Sequence, residues 1–346
     1  MKNYFRLLAE DKQHDAASKV LSVFLFLAAF GYGLGVRVFR WLYEHKILPR
    51  KRLPYPVISV GNLTWGGTGK TPFVEYLARK IGIHRRVPLV LTRGYSHDEA
   101  LELQNHLPAA IIGVGKDRAK VAERVKQEKR HVDIAILDDG LQHQALERDV
   151  DIVAINSLNP FGNGSLIPRG ILREPLTVLK RAAIIVLTHV NLVSPEELKT
   201  LKSRIALLAP QAQVVETVME VLFLYRAKTK VRMAIEKMAG HRVATFAAVG
   251  TPRSFQLVLQ RFQLKTVRNF EFLDHHEYTK EELLKIKEVA QSAGAEEIIT
   301  TEKDFYRSRA LITEILNPMI LAARLRVVSG DEILTDRLFR LLGVKN

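Results

Sequence analysis

The 346-residue chain has no cysteine, which excludes disulfides, thiolate metal sites and cysteine nucleophiles and agrees with a reducing compartment. Acidic residues are in short supply: 37 Asp and Glu stand against 52 Lys and Arg, a net charge of +15 that favours a negatively charged partner, whether nucleic acid, anionic lipid or a phosphorylated substrate. No internal repeat is present. A guanine-specific N/T-K-x-D motif is also lacking, since the nearest stretch, Thr188-His189-Val190-Asn191, has neither the Lys nor the Asp. The chain does not follow the strict G-x-x-x-x-G-K-[ST] consensus either, because Thr64 occupies the place of its first glycine. An apolar run near the N-terminus starts late and has no convincing small-residue cleavage site after it, which argues against a signal peptide.

What is present centres on residues 57–74, VISVGNLTWGGTGKTPFV, where an apolar strand runs into a glycine-rich loop and then a helix. Phosphate binding needs that layout. Amides of Gly66 to Gly69 can approach an anion with no Cβ in the way, Lys70 can reach terminal phosphates, and the Thr71 hydroxyl can hold Mg²⁺ at the mouth of the helix. Pro72 suits a first helical turn, where no donor is lost. Thr64, Trp65, Gly66, Gly67, Thr68, Gly69, Lys70 and Thr71 are therefore the expected nucleotide-binding residues.

Residues 20–36 carry no charge and are followed by Arg37, Arg40, Lys46, Arg50, Lys51 and Arg52 with only Glu44 to offset them. As a helix, 17 residues reach about 26 Å, short of the roughly 30 Å hydrocarbon layer, and Gly31, Gly33 and Gly35 weaken it. Phe39, Trp41, Leu42 and Tyr43 interleave with Arg37 and Arg40, the pattern of a helix lying at a lipid surface with its cations among the headgroups. A true span and a buried or partner-binding helix are the alternatives.

After the loop, strands are expected at 88–91, 109–114, 133–137, 151–155 and 182–187, with helices between several of them. That alternation predicts an α/β fold, a mostly parallel P-loop NTPase-like sheet covered on both faces. The apolar strand 133–137 ends in Asp138-Asp139-Gly140, the Walker B arrangement, which sets a carboxylate beside a metal held by Thr71. Gly61 to Thr71, Arg93, Asp98, Glu99 and residues 138–143 all fall at carboxyl ends of strands, where such folds bind ligands. Residues 156–175 form a Gly/Pro-rich loop bearing Arg169 and Arg173, and 213–226 read as a strand pair. A smaller α/β lobe begins at Arg242. The expected division is a membrane-associating segment 1–53, a kinase core 54–207, a linker 208–241 and a C-terminal lobe 242–346. His275 and His276 do not form a metal pair, because sequence neighbours point different ways.

GNLTWGGTGKTP at 61–72, TRGY at 92–95, GKDR at 115–118, LDDGLQH at 137–143, LREP at 172–175, DHHEY at 274–278 and TEKD at 301–304 together resemble the tetraacyldisaccharide 4'-kinase family, the lipid A 4'-kinases of Gram-negative bacteria. The resemblance covers most of residues 37–305, and the Thr64 departure is shared with that family. It implies transfer of the γ-phosphoryl of ATP, with Mg²⁺, to the 4'-hydroxyl of a tetraacylated glucosamine disaccharide 1-phosphate at the cytoplasmic face of the inner membrane, with no nucleic-acid partner. It further implies that Asp98 accepts the hydroxyl proton, that Glu99 and Asp139 lie near the metal, that His275 orients or tunes Asp98, that Arg173 contacts phosphate, and that the C-terminal lobe closes the site. Of the family's G-D-E-P motif only Asp98 and Glu99 remain, between His97 and Ala100, after a shortened connection from TRGY.

Two rivals come from other classes: a membrane-associated P-loop ATPase switch, and a nucleic-acid motor suggested by charge alone. The motor is disfavoured because the positive excess sits beside an apolar helix and not along an aromatic-studded groove. On the kinase reading, Lys70→Ala and Asp98→Ala should each lower turnover by roughly a thousandfold, about 4 kcal/mol of transition-state stabilisation, with the fold intact. Near-normal transfer by purified Asp98→Ala would remove that residue from its role.

Overall fold

The computed structural model describes residues 16–94, 103–274 and 276–343, which group into two compact units. The first comprises residues 1–93, 107–217 and 327–346; the second, 94–106 and 218–326.

The first unit is organised by β1 (Val57–Asn62), whose six residues are all buried. Around it stand β2 (Pro88–Thr92), β3 (Ile111–Val114), β4 (Ile134–Asp138), β5 (Val150–Asn156), β6 (Ile184–Thr188) and the first residues of β7 (Gln213–Arg226), in the order β3-β2-β4-β1-β5-β6-β7. Every pairing is parallel. Near-continuous burial of β1, β2, β4 and β6 explains why these strands read as apolar runs without alternation: both faces are covered. α2 (Lys70–Ile83) packs Phe73, Val74, Leu77, Ala78 and Ile81 inward, while α3 (Arg118–Gln127) buries Ala119, Val121, Ala122 and Val125 with Val57, Leu89, Leu91 and Leu137. α4 (Pro195–Leu208) starts with a capping box, Ser194 accepting from the Glu197 amide.

The glycine of β1 has a specific reason. A Cβ on Gly61 would strike Leu141, whose main-chain nitrogen lies 2.6 Å from that position. Residues 140–142 are folded directly onto the exit of β1: the Gly140 amide donates to Val60 O at 3.0 Å and Gln142 Nε2 to Asn62 O at 3.0 Å.

α1 (Ala16–Glu44) is longer than the apolar run that announced it, 29 residues or about 44 Å, and passes straight through its three glycines. The expectation of a helix too short for a bilayer is therefore corrected: Leu21–Glu44 is long and apolar enough to cross one. Gly33 is there for contact, since a Cβ would sit 2.7 Å from Leu166 Cδ1, whereas Gly31 and Gly35 face open space. Protected positions recur at 25, 29, 33, 36, 40 and 43, a single stripe at helical spacing. Away from it Phe24, Phe26, Leu27, Phe30, Leu34, Val38, Phe39 and Trp41 are exposed.

In the second unit β9 (Arg242–Ala247) lies between β10 (Lys265–Glu271) and β11 (Glu297–Thr301), with β12 (Met319–Ser329) parallel to β11. The stretch 213–226 is one 14-residue strand, not the expected pair, because QVVETVMEVLFLYR contains no turn residue. The chain reverses only after it, with Lys230 at φ 60°, into the short antiparallel β8 (Arg232–Met233). α5 (Pro252–Arg261) buries Phe255 and Leu259 among Val243, Ile299 and Met319; α6 (Lys280–Ser292), α7 (Glu302–Arg307) and α8 (Arg309–Ile315) contribute Leu283, Ile286, Phe305 and Ile312 to a second cluster with Phe246 and Tyr278.

The chain ends in α9 (Asp331–Leu342), held in the first unit by Asp331, which accepts from Lys80 at 2.7 and 2.8 Å and from the Tyr76 hydroxyl. Gly61→Ala should lower the unfolding free energy by about 1–3 kcal/mol, the usual cost of overpacking, read as a shift of the urea midpoint at unchanged slope.

Candidate active site

The loop between β1 and α2 owes its shape to carbonyls pinned from outside. Asn156 Nδ2, at the end of β5, donates to Gly67 O at 3.1 Å, and the Thr188 hydroxyl, at the end of β6, donates to Thr68 O at 3.0 Å. In a trans peptide the C=O and the following N–H point in opposite directions. Fixing the Gly67 and Thr68 carbonyls on the β5 and β6 side therefore turns the Thr68 and Gly69 amides the other way, as an anion requires. Gly66 (φ 110°) and Gly69 (φ 76°) take left-handed conformations that side chains resist, and a Cβ on Gly69 would come within 3.0 Å of Thr188 Cγ2. Upstream, Asn62 Nδ2 donates to Thr64 O at 2.5 Å, and the Trp65 amide to Ile171 O at 2.7 Å. Trp65 itself is 73% exposed.

Lys70 opens α2 and Thr71 follows it in the first turn. Lys70 Nζ donates to Asn62 Oδ1 at 2.9 Å and lies 3.4 Å from Asp139 Oδ1. Asp139 is also gripped by Arg173, with Nη1 3.2 Å from Oδ1 and Nη2 3.3 Å from Oδ2, a two-pronged pair. Burial opposes ionisation of Asp139, but the Lys70 and Arg173 cations outweigh it and hold the carboxyl below the usual carboxylate range. Asp139 has φ 52°, the left-handed region that Asp tolerates better than most. Two cations thus share one acid beside the loop.

Asp138, the last residue of β4, is buried and registers with Val60 of β1. Its carboxylate and the hydroxyl of Thr71 are hard oxygen donors, the kind that Mg²⁺ takes. Arg118 is buried at the start of α3, its guanidinium 3.4 Å from Lys116 O and 3.5 Å from Asp138 O. Gln142 is a brace for β1. Burial, with Arg118 and Arg148 nearby, lowers His143 to about 4, so it is neutral at pH 7.

Asp98, Glu99 and His275 lie outside the described residues. The residues flanking His275 belong to the second unit and are tied down: Asp274 accepts from Lys303 at 2.9 Å, and His276 Nε2 lies 2.9 Å from Glu282 Oε2. Asp304 is fully buried and takes the Ala248 amide at 2.9 Å, the Tyr278 hydroxyl at 2.9 Å and the Thr301 hydroxyl at 2.6 Å. The Lys303 and Asp304 of TEKD hold the Asp274 and Tyr278 of DHHEY.

Sequence reasoning passed over Asn62, Asn156 and Thr188. Asn62 stood inside a quoted motif without a role, and Thr188 drew notice only as part of a failed guanine motif. Their positions at the last residues of β1, β5 and β6, beside a glycine loop, were the available signal.

A glycine-rich anion cradle at the exit of a central parallel strand, with a lysine, a threonine and an acid from the next strand, defines a P-loop nucleotide-dependent phosphotransferase. A family model described as "Tetraacyldisaccharide-1-P 4'-kinase" matches residues 21–102 and 97–342. A "Probable tetraacyldisaccharide 4'-kinase, mitochondrial" of Arabidopsis thaliana is 34% identical over 330 residues, covering 86% of this chain and 84% of its own length. A tetraacyldisaccharide 4'-kinase of Halothermothrix orenii is 33% identical, with 88% and 87% covered. The crystal structure of LpxK from Aquifex aeolicus in complex with ATP aligns with TM-score 0.69 and 25% identity, covering 93% of this chain and 99% of that one. The chain belongs to the tetraacyldisaccharide 4'-kinase family, and its activity is that of a phosphotransferase of lipid A biosynthesis.

His189, next to Thr188, supplies a pH test. It is buried and lowered to about 4 by desolvation. The proton of the Thr188 hydroxyl goes to Thr68 O, so His189 Nδ1, 3.1 Å from Thr188 Oγ1, carries the hydrogen donated to that hydroxyl oxygen. Unfolded, this histidine gains a proton near pH 6.5; folded, only near 4. The unfolded state binds more protons in between, so stability falls as pH drops from 6.5 towards 4 and stops falling from this source below that. His189→Asn, which tolerates the left-handed φ of 59°, should flatten that slope in chemical unfolding measured at pH 7 and pH 5.

Proposed function

We propose that the chain transfers the γ-phosphoryl of ATP to the 4'-hydroxyl of a tetraacylated glucosamine disaccharide 1-phosphate at the cytoplasmic face of a bacterial inner membrane. One observation carries the assignment of roles: Lys70 is held between Asn62 and Asp139 at the foot of a loop whose carbonyls are pinned away from it. A nucleotide laid along that loop meets the Thr68 and Gly69 amides with its β and γ oxygens, and Lys70 exchanges Asp139 for phosphate. Arg173, already oriented by Asp139, faces the negative charge that spreads over the transferring group. Thr71, Asp138, Asp139 and Glu99 would hold Mg²⁺, Asp139 once a nucleotide draws Lys70 away from it, and the ion would neutralise phosphate charge.

Proton balance falls to Asp98. As the 4'-oxygen bonds to the γ-phosphorus, the bond to the β–γ bridging oxygen breaks, ADP departs, and the hydroxyl proton passes to the Asp98 carboxylate, with His275 orienting that acid. Phosphoryl transfer of this type asks the protein for positioning and charge neutralisation above all.

The acceptor's acyl chains require access from lipid. α1 supports that with a long exposed apolar surface among the described residues, and the stretch from Arg37 to Arg52 carries six cations against one acid, each exposed one contributing about 1 kcal/mol near an anionic surface. Purified protein incubated with γ-labelled ATP and a lipid A precursor in mixed micelles should move label into the lipid, with little ADP formed when lipid is omitted. Lipid-independent ADP release without labelled lipid would overturn the kinase reading in favour of an ATPase switch.

A further inference from the structure

α1 does more than lie beside the kinase unit. Its Tyr32 hydroxyl donates to the carbonyl oxygen of Arg173 at 3.0 Å. The amide of the same residue donates to Leu63 O at 2.6 Å, one residue ahead of the glycine-rich loop. Arg173 is thus clamped through both main-chain groups, to the exit of β1 on one side and to α1 on the other. The next residue, Glu174, is only 4% exposed, and its Oε2 makes no hydrogen bond. Burial raises its pKa, and Arg40 of α1 is foremost among the cations that oppose the rise, ahead of Arg181, Arg173 and Arg148. Gly33 against Leu166 completes the seat. Consecutive residues of one motif are therefore addressed by α1, and the side chain of the first holds Asp139, which in turn holds Lys70.

We propose that Tyr32 is a positioning residue for phosphoryl transfer, setting the main chain of Arg173 so that its guanidinium meets the transferring phosphoryl. The helix that would seek lipid is then part of the catalytic assembly as well as its anchor. This rests on the reading of Arg173 as a phosphate-contacting side chain. The chemistry of the contact is a single neutral hydrogen bond to a carbonyl, so its loss moves Arg173 without unseating α1, which keeps Gly33, Arg40 and the rest of its protected stripe.

Full-length Tyr32→Phe, Arg173→Ala and the double variant, assayed with ATP and a lipid A precursor in mixed micelles, test this. Removing one such hydrogen bond corresponds to roughly a three- to tenfold change, and we expect that fall in kcat for Tyr32→Phe, with the KM for ATP and recovery on anionic vesicles unchanged. In the Arg173→Ala background the Tyr32 change should add less than about twofold, as coupled residues do. Wild-type kcat for Tyr32→Phe alongside a crippled Arg173→Ala would overturn the inference and leave the Arg173 reading standing. An equal fall in both backgrounds would also overturn it, since Tyr32 would then act elsewhere. Wild-type turnover for Arg173→Ala would instead remove the reading on which the inference stands.

Discussion

Two hydrogen bonds from side chains to loop carbonyls, Asn156 to Gly67 and Thr188 to Thr68, set the orientation on which phosphate binding depends. A glycine-rich loop left to itself samples many conformations, and glycine loses more freedom on ordering than any other residue. Here that cost is met by the ends of two strands, β5 and β6, which are themselves fixed by parallel pairing to β1 and to each other. The anion cradle is therefore a product of the sheet, and the same bonds explain why a glycine must stand at 69, pressed against Thr188.

Charge is arranged on the same principle. Lys70 and Arg173 share Asp139, so neither cation is left uncompensated before a nucleotide arrives, and the acid stays ionised despite burial. Removing one member of a buried pair leaves the other charge exposed to the full desolvation cost. Further out, Asp151 is approached by Arg148 and Arg181 at 3.6 Å, and Arg148 caps the Gly140 carbonyl at 2.8 Å, which stiffens the turn carrying Asp139. The excess of basic residues thus has a local structural use as well as an electrostatic one towards lipid.

Much of this was legible from residue order alone. Strand, glycine loop and Lys-Thr pair announced β1 and α2, and four apolar residues ending in Asp announced β4, because buried parallel strands and phosphate loops leave dense local patterns. Longer-range matters were not. The run 20–36 understated α1, since a helix continues through charged and aromatic residues that an apolar count discards. Residues 213–226 were split in two although no residue there can turn the chain. Asn62, Asn156 and Thr188 carry the loop from positions up to 126 residues apart, and Tyr32 reaches Arg173 across 141, separations at which no periodicity or spacing operates. The proposed roles of Asp98 and His275 rest on family resemblance, as both lie outside the described residues.

The central claim is that the cradle is shaped from behind by strand ends, and the most direct measurement is the affinity of Thr188→Val for ATP by titration calorimetry. Valine keeps the shape of the side chain and removes the hydroxyl that holds Thr68 O and accepts from His189 Nδ1. We predict weaker binding by roughly tenfold, the scale of one lost hydrogen bond in a buried polar setting, together with a lower unfolding midpoint because the buried His189 Nδ1–H loses its acceptor. Wild-type affinity for ATP in that variant would contradict the account, for the loop amides would then hold their aim without the bond assigned to fixing it.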